Sequence, residues 1–129
     1  MRRPILTIGA SALALCAFAA PSLAHNTADP TTVTITVVNR PAGDVFRGRV
    51  GSANPDCIED RLVQLFRVQP GADLLIDTDE SEDNGAWDID IEGGAPAGRY
   101  YVRLPGRVLT SPGHRHVCRG GRSAFVTAP

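Results

Sequence analysis

The sequence predicts an all-β protein: an antiparallel β-sandwich of about seven short strands, preceded by a cleaved signal peptide. Three observations carry this. Apolar and polar residues alternate with a period of two in several short runs, the mark of half-buried strands. Gly, Pro, Asn and Asp punctuate the chain every 8–12 residues. No window repeats apolar residues at the i, i+3, i+4, i+7 spacing of an amphipathic helix, so helix content should be very low.

The first 24 residues are read separately. Met1-Arg2-Arg3 is basic, Ile5 to Ala20 is an almost unbroken apolar run, and Pro21-Ser22-Leu23-Ala24 closes it with small residues at −3 and −1. This is the layout of a secretory signal with cleavage after Ala24. A lipidation site would need a small residue before Cys16, where Leu15 stands, and the apolar run continues past the cysteine. Cleavage leaves 105 of the 129 residues, the size of one domain. It also leaves 11 basic side chains against 14 acidic ones, a net charge of −3. That balance argues against a nucleic-acid partner, which would call for a basic face. No second apolar run approaches the ~20 residues of a membrane span. The expectation is an exported chain, soluble in the periplasm or outside the cell.

The mature chain keeps Cys57 and Cys118. An even pair in an oxidising compartment reads as a disulfide. Neither cysteine lies in a C-x-x-C pattern, which disfavours a redox or metal pair. The closed loop of about 62 residues would be worth roughly 4 kcal/mol by loss of unfolded-chain entropy. All 13 basic residues are arginine. Without lysine there is no Schiff-base or P-loop lysine, and none for an isopeptide cross-link.

The elements follow in order. Residues 25–30 are polar and read as a flexible lead-in to a single domain over 31–129. Thr31 to Val38 alternates Val33, Ile35 and Val37 with threonines, giving a half-buried strand. Asn39 to Asp44 is a turn cluster. Val45 to Val50 is a second strand with Phe46, Gly48 and Val50 on one face. Arg61 to Val68 carries apolar residues on both faces and should lie centrally. After the Pro70-Gly71 turn comes a strand over Leu74 to Thr78, then an acidic loop from Asp79 to the Asn84-Gly85 turn signal. Ala86 to Glu92 sets Trp87, Ile89 and Ile91 against Asp88, Asp90 and Glu92, one face dry and one wet. Arg99 to Leu104 is a sixth strand, with Tyr100, Val102 and Leu104 inward. Pro105 to His114 reads as irregular. His116 to Cys118 and Ser123 to Thr127 supply the last strand or strands. The expected core is Val33, Ile35, Val37, Phe46, Val50, Leu65, Trp87, Ile89, Ile91, Tyr100 and Val102.

Five pieces then fall into a recognisable order: Phe46-Arg-Gly-Arg-Val50, Cys57 with Arg61-Leu-Val-Gln-Leu65, Asp83-Asn-Gly-Ala-Trp87, Ala97-Gly-Arg-Tyr-Tyr-Val102, and Cys118 before the last strand. Over roughly Val33 to Val126 the chain resembles small exported bacterial domains with an Ig-like, transthyretin-like (prealbumin-like) sandwich, related to carboxypeptidase regulatory-like domains. The resemblance implies a non-catalytic interaction or structural module. It names no ligand, and the partner expected is an unidentified protein or envelope component. The enzymatic branch of that fold, hydroxyisourate hydrolase, carries a Tyr-Arg-Gly-Ser ending that Phe125-Val-Thr-Ala-Pro129 does not match.

Three places are candidates for chemistry. Asp77, Asp79, Ser81 and Asp83 recur at every second residue before Asn84-Gly85, an arrangement similar to calcium loops. Glu82 stands where an EF-hand loop needs glycine, and Asp88 where it needs glutamate; the competing reading is a solvated hairpin loop. No cofactor is called for; calcium is the candidate ion at these four residues. His25 would become the N-terminal residue, able to bind copper through its amine and ring, with His114 and His116 as further ligands. The competing reading is three exposed histidines. Lastly, Arg99, Tyr101 and Arg103 should line one sheet face and Arg47 and Arg49 another. They could bind a carboxylate or a sugar, or pair across strands with Asp88, Asp90 and Glu92. No G-x-S-x-G or nucleophile–base spacing points to an enzyme.

Overall fold

Strand-forming residues recur through the chain because alternation, β-branching and turn residues agree locally. A computed structural model describes residues 25–129, with the side chain of His25 outside what is described. The signal-peptide reading of residues 1–24, Cys16 included, lies outside the described residues. The described residues form twelve strands: β1 (His25–Asp29), β2 (Thr31–Val33), β3 (Thr36–Arg40), β4 (Gly43–Ser52), β5 (Leu62–Arg67), β6 (Leu74–Glu80), β7 (Ala86–Glu92), β8 (Gly98–Leu104), β9 (Arg107–Ser111), β10 (His114–Cys118), β11 (Gly121–Arg122) and β12 (Val126–Ala128). A 3-10 turn, Pro55–Cys57, is capped by the Asn54 side chain accepting from the Asp56 amide.

These strands reduce to the expected sandwich plus an addition. One sheet is β2/β3, β4, β7; the other is β11/β12, β8, β5, β6, and all pairings within both are antiparallel. Strands β2 and β3 both pair with β4, and β11 and β12 both with β8, so seven strand paths form the two layers. Between them lie Val33, Ile35, Phe46, Val50, Val63, Leu65, Trp87, Ile89, Tyr100, Val102, Leu104 and Ala128. The rings of Phe46 and Tyr100 meet across the gap at 4.8 Å. Nine of the eleven expected core residues are buried, and Val37 and Ile91 pack partly buried at the margin.

Two glycines fix this geometry. A Cβ at Gly48 would stand 1.9 Å from the Thr34 carbonyl oxygen, so only glycine lets the first strand cross over β4. The Thr31 to Val38 strand is accordingly broken at Thr34–Ile35. Gly85 has φ +84°, and a Cβ there would lie 2.1 Å from the Val50 carbonyl oxygen. Its own carbonyl accepts from the Val50 amide at 2.8 Å, tying the β6–β7 turn to the opposite end of β4.

Two expectations are corrected. Residues 25–30, read as a flexible lead-in, contain β1, which pairs in parallel with β10 from His25↔His114 to Asp29↔Cys118. Polar residues form a strand here because an existing strand edge supplies the hydrogen bonds, which no local alternation announces. Pro105 to His114, read as irregular, contains β9 and the start of β10. Pro112-Gly113, with Gly113 at φ +76°, turns the chain so that Ser111 and His114 pair. The result is a small third sheet, β1-β10-β9. Cys118, at its end, is bonded to Cys57 in the 3-10 turn, with Cα atoms 5.3 Å apart.

Candidate functional site

The outward face of the β11/β12-β8-β5-β6 sheet concentrates binding chemistry. Strand alternation sends Leu62, Gln64 and Phe66 outward from β5, and Arg99, Tyr101 and Arg103 outward from β8. Register sets Phe66 opposite Tyr101 and Gln64 opposite Arg103. Phe66 stacks on Tyr101 at 5.4 Å, and Phe125 meets the other side of Tyr101 edge-on at 5.6 Å. Each ring carries a guanidinium: Arg103 lies 4.9 Å over Phe66, Arg99 4.8 Å over Phe125, and Arg122 4.9 Å over both Tyr101 and Phe125. This cover explains why Tyr101, on the outer face, is only 8% exposed. Phe125 and the neighbouring Leu74 and Leu75 of the sheet margin remain exposed.

Hydrogen bonds hold the platform in place. The Tyr101 hydroxyl donates to Asp73 Oδ2 at 2.8 Å, and Arg103 donates from Nε and Nη2 to Gln64 Oε1. Burial, and then the bond to Asp73, pushes the Tyr101 phenol above its ordinary pKa. Among the described residues no carboxylate forms an ion pair with Arg99, Arg103 or Arg122. The expected partners Asp88, Asp90 and Glu92 lie on β7, in the other sheet. There Arg47 stands opposite Asp88 in register, and Arg40, Arg47, Arg49 and Trp87 line a shallow cleft of about 490 Å³.

The four acidic-stretch residues do not converge. Asp77 and Asp79 belong to β6, which runs to Glu80, so the acidic loop is shorter than the sequence suggests. Asp79 Oδ2 accepts from the Asp88 amide at 2.9 Å. Ser81 is buried: its hydroxyl donates to the Ile58 carbonyl at 2.6 Å and accepts from the Arg61 amide at 2.9 Å. Asp83 stands on the exposed turn. Strand geometry sets the periodicity-two carboxylates out along an edge instead of wrapping them round one point. Among the described residues no group of three or more His, Cys, Asp or Glu side chains could hold a metal ion.

The histidines, by contrast, are brought together. The β1–β10 register places His25 beside His114 and Thr27 beside His116. The His114 and His116 rings lie 6.4 Å apart. His116 Nδ1 meets Thr27 Oγ1 at 2.5 Å and lies 3.5 Å from Asp29 Oδ2.

Sequence reasoning missed one residue of consequence. Arg61, placed at the start of a strand, is 1% exposed. Its guanidinium donates to the Cys57 carbonyl (2.8 Å), Thr31 Oγ1 (3.2 Å), the Pro105 carbonyl (3.0 Å) and the Arg119 carbonyl (3.2 Å). Burial, then the nearby Arg107, lowers its pKa from the ordinary arginine value. The only available signal was Arg61 closely following Cys57, and a lone arginine normally reads as surface.

The fold and these sites define a disulfide-closed antiparallel β-sandwich with a small appended sheet. No family model, curated protein or solved structure matches the chain. Among the described residues no helix is long and apolar enough to cross a membrane.

Proposed function

We propose that this chain is an exported, non-catalytic β-sandwich that acts as an interaction module in the periplasm or outside the cell. Its docking surface is the outer face of β12, β8, β5 and β6, and its partner is an envelope component bearing carboxylates. One observation supports the reading above others: Arg99, Arg103 and Arg122 rest on Phe66, Tyr101 and Phe125 with no carboxylate of the described chain neutralising them. Guanidinium forks match carboxylates in geometry. Stacking on rings holds them in place, so less side-chain freedom is lost on binding. The secretory layout of residues 1–24 and the transthyretin-like resemblance support the same reading.

The test is retention on immobilised polygalacturonate against neutral dextran, over a range of salt. Wild type should be retained on the former alone and released as salt rises, because exposed charges are screened. The triple variant Arg99→Glu, Arg103→Glu, Arg122→Glu should flow through while keeping its circular dichroism spectrum. Equal retention of wild type and triple variant, or no retention of wild type at any salt, would reject the proposal.

A further inference from the structure

We propose that the outer face of β8, β5 and β6 also docks on a lipid surface carrying anionic phosphate headgroups, with Leu75 and Phe125 entering the apolar layer beneath them. The proposal rests on the reading of the arginine face as the docking surface. It goes beyond a carboxylate partner by adding an apolar requirement, which a soluble polyanion does not meet.

The observation that carries it is an apolar row crossing the sheet. Register sets Leu75 opposite Phe66 and Phe66 opposite Tyr101, and Phe125 closes the row against the Tyr101 ring. At strand spacings of ~4.8 Å the four positions span roughly 15 Å. Guanidinium groups roof the middle of the row, but its two ends are open: Leu75 is 46% exposed and Phe125 42%. Among the described residues five large apolar side chains stand exposed, and four of them, Leu62, Leu74, Leu75 and Phe125, belong to this sheet or its margin. Apolar exposure gathered on one face and rimmed by charge marks a contact surface, whereas scattered single residues would not.

Charge selects the partner. Arg103 lies over Phe66, Arg99 over Phe125, and Arg122 over Tyr101 and Phe125, so three cations sit on the row itself. A guanidinium fork grips phosphate as well as carboxylate. The acidic side chains nearby do not oppose this. Asp73 is engaged, accepting from the Tyr101 hydroxyl and the Gln69 amide. Glu80 stands opposite Leu62, at the far end of β5 from Phe66. An apolar row with cations on it suits the boundary of a bilayer, where apolar side chains enter the acyl layer and arginine heads stay at the phosphates. A purely ionic partner would leave Leu75 and Phe125 in water.

The experiment is co-sedimentation with vesicles of phosphatidylcholine alone and of phosphatidylcholine mixed with phosphatidylglycerol. Every comparison uses the full chain as an exporting cell produces it, so residues 1–24 contribute equally throughout. Wild type should bind the mixed vesicles roughly a hundredfold more tightly than the neutral ones, for three arginines at a charged surface. Salt should narrow that difference. The double variant Leu75→Ser, Phe125→Ser should bind vesicles roughly tenfold more weakly through lost apolar burial, with its circular dichroism spectrum and its retention on polygalacturonate unchanged. The emission of Phe125→Trp should be quenched by mixed vesicles brominated on their acyl chains, beyond any quenching of Trp87 in wild type. Equal binding to the two vesicle types, vesicle binding untouched by the double variant, or no added quenching would overturn the lipid proposal, while retention on polygalacturonate would leave the arginine face standing. A triple variant Arg99→Glu, Arg103→Glu, Arg122→Glu that binds both vesicles and polygalacturonate as wild type does would overturn the face itself.

Discussion

Replacing Arg61 by leucine tests the structural core of the molecule most directly. The guanidinium satisfies three backbone carbonyls and one hydroxyl from four separate segments: the strand at Thr31, the 3-10 turn at Cys57, and the loops at Pro105 and Arg119. Leucine fills part of the volume but donates nothing. Each buried acceptor left unpaired costs about 1–3 kcal/mol. Cys57's carbonyl is buried, whereas the bonds to Pro105 and Arg119 are only partly so and can recruit water, which points to the lower half of that range for two of the three. The sum is about 3–7 kcal/mol. With a urea m-value of about 2 kcal/mol/M, the unfolding midpoint should fall by roughly 1.5–3.5 M. The assay is equilibrium urea unfolding with the disulfide intact in both proteins. Arg61→Lys, with donors fanning from one atom, should fall between the two. Buried charges are sometimes replaceable by apolar residues at a net gain. A midpoint for Arg61→Leu within about 0.5 M of wild type, or above it, would refute the reasoning.

Further outcomes follow from other contacts. Thiol titration of unreduced, denatured mature protein should find no free thiol, and the Cys57→Ala, Cys118→Ala double variant should lose about 4 kcal/mol if the unfolded loop is the main beneficiary. Gly85→Ala combines a positive φ with the approach to the Val50 carbonyl and should cost about 2–4 kcal/mol, measured by the same urea series. The raised Tyr101 pKa makes the folded state hold its phenolic proton above the unfolded value, so that contribution to stability is complete below pH 10 and is lost as pH rises through the folded pKa. Absorbance of phenolate in a Tyr100→Phe background should show the Tyr101 midpoint falling when Asp73→Asn removes the facing charge; an unchanged midpoint would contradict the assigned contact.

What could be read from the sequence depended on whether the determining partner was local. Trp87, Ile89 and Ile91 alternate with carboxylates, and β7 occupies Ala86–Glu92 as the alternation indicates. Asn84-Gly85 turns where turn chemistry requires it. Apolar residues on both faces of β5 mark a central strand, and β5 lies between β6 and β8. The break at Thr34–Ile35 was hidden because its cause is Gly48, distant in sequence. β1 was hidden because its hydrogen bonds come from β10, almost ninety residues later. Of the candidate sites, the outward set Arg99, Tyr101 and Arg103 was legible from alternation alone. The contributions of Phe66, Arg122 and Phe125 were not, since they reach it through cross-strand register. In the acidic stretch the regular spacing puts Asp77 and Asp79 on β6, while Ser81 beyond it turns inward to the Arg61 amide, a partner twenty residues away.

The parallel pairing of β1 with β10 also sets an order of assembly. A chain emerging amino-terminus first presents His25–Asp29 long before residues 114–118 exist to receive it. Until then the first strand has no edge to pair with. Cys57 waits likewise for Cys118. Such distant closures slow folding, since the entropy of a long loop is lost before any contact compensates it. Truncation of the final fifteen residues would leave both the strand and the cysteine without their mates.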